Sequence, residues 1–474
     1  MVIPVDVFFV SSVGGAINPG RFTKPAWAPA AGQTKAISYP AGTHPAGRGA
    51  TLAEISPQYE DWNPHKPSIR IYGNGYSWGT YYGYCGSAFN VATRQIVLYG
   101  AGHVSINVCA PSCFDLNDLR WKWLDTPLPF DALGLLKTNG IAYAKQQQVE
   151  TYYPREQYNF AWGDVNGDWA GWPAGYGRPG KIQPLPTHSY ATTTWIPPAS
   201  MGNTKGGYLM FGSYEGVINS SGNNGTHVFD FDTQSWSRGN NSWPGGASNA
   251  RGARVDPVSG KVIVFGTGPG ASLSFRVFDA ATKLWSVRTA SGVGATTTTD
   301  HPGNVIHEAA RLYVVPGPLL SNGSPATWQK FGVKYKFQVA SLDAILGTGF
   351  FSITVLTVNE QGGWPLNDLG NNRYIGWAYC PEDKCLYAIN GVHGSNKYWR
   401  LAPPANAVDQ DDYLAGAWTL TERTFSSGTL QSPGPYTPRS SMFNRLAWDV
   451  TSRAFIWWPD HVAGPVQAFR PKGI

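Results

Sequence analysis

Three times along the chain a Phe-Asp pair is followed by a Trp at one fixed spacing. Phe114-Asp115 leads to Trp121, Phe229-Asp230 to Trp236 and Phe278-Asp279 to Trp285, each Trp seven residues after its Phe. The position between holds Asp118, Thr233 and Thr282. A strand, a turn capped by Asp or Thr side-chain oxygens, and a second strand opening with Trp satisfy that spacing. Phe and Trp then pack against an adjacent sheet. Weaker copies follow at Lys334–Val339 and at Tyr398-Trp-Arg-Leu401, the latter followed by Trp418.

A second recurring piece is a turn-forming stretch leading into an apolar run. Asn90-Val-Ala-Thr-Arg94, Asp256-Pro-Val-Ser-Gly-Lys261, Cys380-Pro-Glu-Asp-Lys-Cys385 and Asp449-Val-Thr-Ser-Arg453 each precede such a run. Two further apolar strands end at Gly212 and Gly317. A short run that is apolar at successive positions is buried on both faces, as in the inner part of a sheet packed between two others.

An apolar strand ending in Gly, then Phe-Asp-x-x-Thr-x-x-Trp, resembles kelch repeats and the galactose-oxidase-like propeller, whose units run about 50 residues. The resemblance covers residues 85–471. It implies an all-β, kelch-like β-propeller of six or seven four-stranded blades, one hidden in, or an insertion filling, the interval from Gly100 to Gly212. The last blade ends on an apparent third strand, Pro465–Arg470, so the N-terminal side must supply its fourth or leave an open edge. Ser68–Tyr72 and Val5–Val10 are the candidates. Residues 1–67 then form an extended N-terminal docking or lead-in segment and 68–474 the propeller.

Composition agrees. Gly (56), Pro (36), Trp (20) and Tyr (24) are abundant and charged residues make up 14%, which describes short strands and tight turns rather than helices. A net charge of +6 without a basic run excludes nucleic acid as a partner. No apolar stretch approaches the ~20 residues of a membrane span. The apolar Met1–Pro19 lacks a basic start and holds Asp6, so it does not read as a signal peptide. Cys380 and Cys385 face each other across a hairpin, where a disulfide is geometrically allowed. Cys109 and Cys113 could close a loop similarly, Cys85 stands apart, and the alternative is that all are small buried hydrophobes. Asp164-Val-Asn166-Gly-Asp168 matches the opening of a calcium loop, but Gly175 stands where the closing Glu belongs, so a polar turn is read instead. No metal and no cofactor is expected.

In such a ring the loops before first strands and after second strands share one end. They carry His103, His188, Tyr214, Glu215, Arg251, His301, Arg373, His393, Arg439 and His461, a funnel of His, Arg and aromatic groups. Arg and His would donate hydrogen bonds to a ligand while Tyr and Trp stack on sugar rings; ordinary solvent-exposed loops are the competing reading. No residue is assigned a catalytic role. Resemblance to copper-radical oxidases of this fold implies two His, two Tyr and a Cys crosslinked to Tyr. Cys85 does lie among Tyr81, Tyr82 and Tyr84, but the adjacent Tyr-His pair is missing. Resemblance to propeller polysaccharide lyases would cast His188, Tyr190, Arg251, His301 and His393 as proton-moving and carboxylate-neutralising groups.

The expectation is a non-enzymatic recognition or structural module for a carbohydrate or cell-surface receptor. A bacteriophage virion, as a tail component docked through the N-terminal segment onto other virion proteins, is the expected setting; secretion is the alternative. A polysaccharide-processing lyase or copper-radical oxidase, and an intracellular kelch scaffold, are the competing functions.

Overall fold

A computed structural model describes residues 25–37, 87–98, 111–124, 192–211, 226–240, 244, 252–267, 273–292, 303–318, 335–366, 375–392, 394–430, 445–458 and 466–474. The strands form six antiparallel blades in a ring, a β-propeller. From the axis outward, the first blade holds Ser87–Asn90, Gln95–Leu98, Ser112–Asp115 and Arg120–Trp123, and the second Thr193–Ile196, Gly207–Phe211, Thr226–Asp230 and Ser235–Arg238. The third holds Ala253–Val255, Val262–Thr267, Leu273–Asp279 and Leu284–Thr289, and the fourth Val305–His307, Leu312–Pro318, Tyr335–Ser341 and Ser352–Val355. The fifth holds Gly376–Cys380, Cys385–Ile389, Lys397–Ala402 and Trp418–Thr424. The sixth takes Leu446–Asp449, Ala454–Trp457 and Gln467–Phe469 from the C-terminal end, and its outer strand, Thr34–Ala36, from the N-terminal end.

The ring is therefore closed by an N-terminal strand, as expected, but that strand is Thr34–Ala36. It falls inside the Gly- and Pro-rich stretch read as a lead-in; Ser68–Tyr72 and Val5–Val10 lie outside the described residues. Three residues suffice because the strand is held on both sides. Thr34 and Ala36 pair with Phe469 and Gln467, and Gln33 bridges Ser427 of the fifth blade in parallel. The same arrangement recurs around the rim. The chain leaving the outer strand of blade three pairs in parallel with the outer strand of blade four through Ser291–Gly292. Val358–Gln361 does likewise between blades four and five, and the Asn240 amide donates to Lys283 O (2.7 Å) between blades two and three. These contacts cover outer edges that would otherwise present unpaired backbone groups.

Phe114, Phe229 and Phe278 stand directly opposite Trp121, Trp236 and Trp285 across the outer hairpins, as the spacing predicts. The capping differs in detail. It is the Asp of each Phe-Asp pair that accepts the turn's amides: Asp115 from Asn117 (2.9 Å), Asp230 from Asp232 and Thr233 (2.8 and 3.0 Å), Asp279 from Ala281 and Thr282 (3.0 and 3.2 Å). Thr233 and Thr282 contribute backbone N–H groups. In blades four and five the tight outer turn is replaced by the short helices Leu342–Leu346 and Gln410–Ala415, which is why the later copies lose the spacing. Apolar residues of neighbouring blades form successive layers: Trp285 of blade three, for example, packs on Phe211 of blade two (5.0 Å between rings) and donates to Thr226 Oγ1 (2.6 Å).

Five of the six inner hairpins share one turn, the second blade carrying a longer connection with the short helix Pro198–Met201 instead. Asn90, Asp256, His307 and Asp449 each accept an amide of their own turn. The last turn residue is left-handed: Arg94, Gly260, Arg311, Lys384 and Arg453 all have φ between 49° and 67°. That conformation costs a non-glycine about 1–2 kcal/mol. In return it turns the residue toward the preceding blade. Arg94 pairs with Asp449 (2.7 Å), closing blade one on blade six. Arg311 pairs with Asp256 (3.1 Å) between blades four and three, and Arg453 with Glu382 between six and five. His307 Nε2 reaches Lys384 O (2.7 Å) between four and five, and Asn90 Nδ2 donates to Lys205 O (3.1 Å) between one and two. Between two and three, Gly260 leaves room for Ser200, which a Cβ would strike. Five of the six seams are thus tied by an ion pair or hydrogen bond, and the sixth, between blades two and three, is closely packed.

Gly428 tests the closing strand. It has φ +81°, and a Cβ there would collide with the backbone carbonyl oxygen of Thr34; Gly473 has φ +95° with nothing within 4 Å. Gly428→Ala is expected to lower unfolding free energy by about 2–4 kcal/mol, against about 1 kcal/mol for Gly473→Ala. Urea unfolding measures both, and equal losses would argue against Thr34–Ala36 as a stabilising outer strand.

Candidate functional site

The turn end carries the densest group of ionisable side chains among the described residues, and its chemistry is that of a structural network. At the inner turn of blade five, Asp383 Oδ2 accepts from Tyr387 (2.7 Å) and from Arg400 Nε (3.0 Å), while the Cys385 thiol donates to Asp383 O (3.2 Å). Cys380 and Cys385 are directly opposed, as expected, but both are free, buried thiols. Burial pushes the Cys380 thiol up to about 12 and raises Cys385 as well. A nucleophile needs the thiolate, so neither is activated. Burial likewise raises the Tyr379 and Tyr387 phenols. Asp256 is the exception: burial alone would raise it, but hydrogen bonds from Ser259 and Arg311 more than offset this and hold it low. No group of three or more His, Cys, Asp or Glu among the described residues could hold a metal ion.

The opposite end is where inner strands begin and second strands finish. Tyr313 ties two such beginnings together. Its hydroxyl donates to Gly252 O (2.5 Å) and accepts from Asn304 Nδ2 (3.0 Å), spanning the entries to blades three and four. In blade six, Arg445 precedes the inner strand and lies over the Trp458 ring (5.0 Å), with Trp458 following the second strand. In blade five, Asn390 Oδ1 accepts from Val392 N (3.2 Å), and Gly394 N donates to Leu430 O (2.8 Å).

His103, His188, Tyr214, Glu215, Arg251, His301, Arg373, His393, Arg439 and His461 all lie outside the described residues, as do Tyr81, Tyr82, Tyr84, Cys85, Cys109, Asp164–Asp168 and Tyr190. Their described neighbours are well held. Gly252, next to Arg251, is fixed by Tyr313; Val392 and Gly394, either side of His393, are each hydrogen-bonded. Two residues escaped the sequence reading. Arg445 precedes the sixth inner strand, and Trp458 is its stacking partner. The consecutive Trp457-Trp458 at a second-strand end was the available signal. Arg254, on the inner strand of blade three, is a further cation near the axis; burial lowers it to about 10, still charged at neutral pH.

No protein-family model matches the chain, and no curated protein matches it. Among solved structures it is similar to a fungal alcohol oxidase of the AA5 family in complex with copper, at 11% identity over 82% of this chain and 62% of that one, TM-score 0.37. It is also similar to TolB from Acinetobacter baumannii, at 12% identity over 73% and 55% of the two chains, TM-score 0.30. The chain spans less than two thirds of the length of either protein. Among the described residues, no helix is long and apolar enough to cross a membrane.

Glu308, on the inner turn of blade four, offers a pH test. Burial, then the nearby Asp256 carboxylate, raise it to about 7 from an ordinary 4.5. A raised carboxyl favours the fold while protonated, so its contribution is full below pH 4.5 and is lost as pH rises through about 7. Glu308→Gln is expected to stabilise the protein at pH 8.5, by on the order of 1–2 kcal/mol after allowance for partial exposure, and to be nearly neutral at pH 4.5. Urea midpoints at the two pH values give the answer; a pH-independent effect would show that the carboxyl is not raised.

Proposed function

We propose that this propeller is a non-enzymatic recognition module that binds a carbohydrate or cell-surface receptor at the loop end, and that it belongs to a bacteriophage virion as a tail component. The observation that carries the reading is the division of labour between the two ends. The turn-end groups tie blades together with thiols and phenols kept neutral, whereas the loop end has fixed strand entries, held by Tyr313 and by the buried Arg445–Trp458 contact. Rigid entries reduce the ordering cost of a binding loop. The kelch-like repeat, the low charge content and the N-terminal approach to the rim, where other virion proteins would dock, fit the same reading.

Purified full-length protein should bind a subset of an immobilised glycan panel or intact bacterial cells. Arg251→Ala and His301→Ala should each weaken binding about tenfold, a loss of ~1.4 kcal/mol. Turnover is the counter-outcome: new unsaturated ends from acidic polysaccharide, or peroxide from neutral sugars, abolished by His301→Ala or His393→Ala, would make the chain an enzyme. A second reading is an intracellular kelch scaffold: Cys380 and Cys385 stand directly opposite each other, and a reducing compartment would keep that pair as thiols. Mass spectrometry of the native protein without reductant distinguishes that setting by the state of all five cysteines.

A further inference from the structure

The seam between blades four and five differs from the other described seams in running through an imidazole. His307 fills the turn position that Asn90, Asp256 and Asp449 fill elsewhere. Its Nδ1 accepts the Ala310 amide (3.0 Å), and its Nε2 contacts Lys384 O (2.7 Å). Nε2 must donate to that carbonyl and Nδ1 must be bare to accept, so these two bonds define one neutral tautomer. A proton on Nδ1 would remove the acceptor and set N–H against N–H across the turn.

The surroundings supply little to stabilise the cation. His307 is fully buried, with Tyr379 of the blade-five inner strand at 5.0 Å between ring centres, Tyr413 of the Gln410–Ala415 helix at 5.4 Å and Trp418 of the outer strand at 5.0 Å. The charged groups nearest it on blade five are Lys384 and Asp383, and Asp383 Oδ2 already accepts from Tyr387 and Arg400. On its own turn, Arg311 is engaged by Asp256 and Asp343, and Glu308 is the carboxyl held partly protonated near neutral pH. On the helix, Asp409 caps the Asp412 amide (3.0 Å) and Asp412 accepts from Val408 N (3.0 Å). Gln410 Nε2 is a further tie across this seam, donating to Ala310 O and Arg311 O (3.1 Å each), and Tyr379 also meets the Ala309 backbone. Burial accordingly lowers His307 from 6.5 to about 4.

We propose that the inner-turn junction of blades four and five is an acid-sensitive latch, closed while His307 is neutral and released when its Nδ1 takes a proton. The sign follows from linkage. A lowered imidazole contributes its full stabilisation above pH 6.5, and loses it as pH falls toward about 4. Opening of the latch should then grow roughly tenfold per pH unit across that window, roughly 300-fold in all, and level off below it.

Native-state hydrogen exchange on the full chain, corrected for intrinsic rates, reads this at the Ala310 amide. The Thr93 amide, which donates to Asn90 Oδ1 in the equivalent turn of blade one, is the internal control. The expected result is acid-dependent loss of protection at Ala310 with Thr93 unchanged. His307→Asn keeps an acceptor for the turn and removes the titration, so its Ala310 opening should be flat with pH. Equal protection at pH 7 and pH 4 in the wild type, parallel loss at Thr93, or an unchanged pH slope in His307→Asn would overturn the latch. Should that variant not fold, the wild-type His307 Cε1–H resonance decides by NMR: a midpoint below pH 5 supports the proposal and one near 6.5 overturns it.

Discussion

The structure depends on a four-residue turn that does two jobs. Its first side chain accepts the turn's own amides, and its last residue, held left-handed, contacts the neighbouring blade. A propeller has no single centre of hydrophobic mass; its apolar residues lie in layers between blades, and sliding one blade past the next would alter those layers gradually. The Arg94–Asp449, Arg311–Asp256, Arg453–Glu382 and His307–Lys384 contacts give each such seam a definite register. The partners are carboxylates or carbonyls already positioned by the turn, so the cost of orienting them is met locally. Loss of Arg94 or Arg311 would strand the buried carboxylate of Asp449 or Asp256, which is far more costly than loss of an exposed ion pair.

The second constraint is at the rim. A ring built from one chain has two ends to reconcile, and here Thr34–Ala36 completes the blade that the C-terminal strands begin. The parallel contacts that follow blades three, four and five show the same solution applied locally. Each outer strand hands its continuation to the start of the next, so the rim is held circumferentially as well as through the apolar layers. Recognition is proposed at the loop end, whose strand entries are themselves held in place by Tyr313 and by Arg445 on Trp458.

Much of this was legible in the sequence because it rests on local rules. Phe-Asp followed by Trp is a hairpin with a capped turn, and the apolar runs after Asn90, Asp256, Cys380 and Asp449 are second strands, as read. What was not legible depends on tertiary partners. Thr34–Ala36 carries no strand signature of its own; it is a strand because Gln467–Phe469 and Ser427 meet it. The capping role passed from Thr282 to Asp279 because turn geometry, which composition does not report, aims the earlier side chain at the amides. His307 read as an ordinary residue in a turn because its significance lies in a carbonyl contributed by another blade. Arg445 was missed for a smaller reason, the exact starting point of a strand, which periodicity leaves loose by a few residues. The proposed binding residues of the loop end were selected by chain position alone, and the described geometry bears on them only through their neighbours.

Turn-end pairs, rather than apolar layers alone, tie one blade to the next. A double-mutant cycle on Arg94 and Asp449, using Arg94→Met and Asp449→Asn with unfolding free energies from urea titration, measures this most directly. A coupling of about 2 kcal/mol or more is expected, because the Asp449 carboxylate is almost wholly buried beneath the guanidinium. Additive effects of the two substitutions, with coupling near zero, would contradict it.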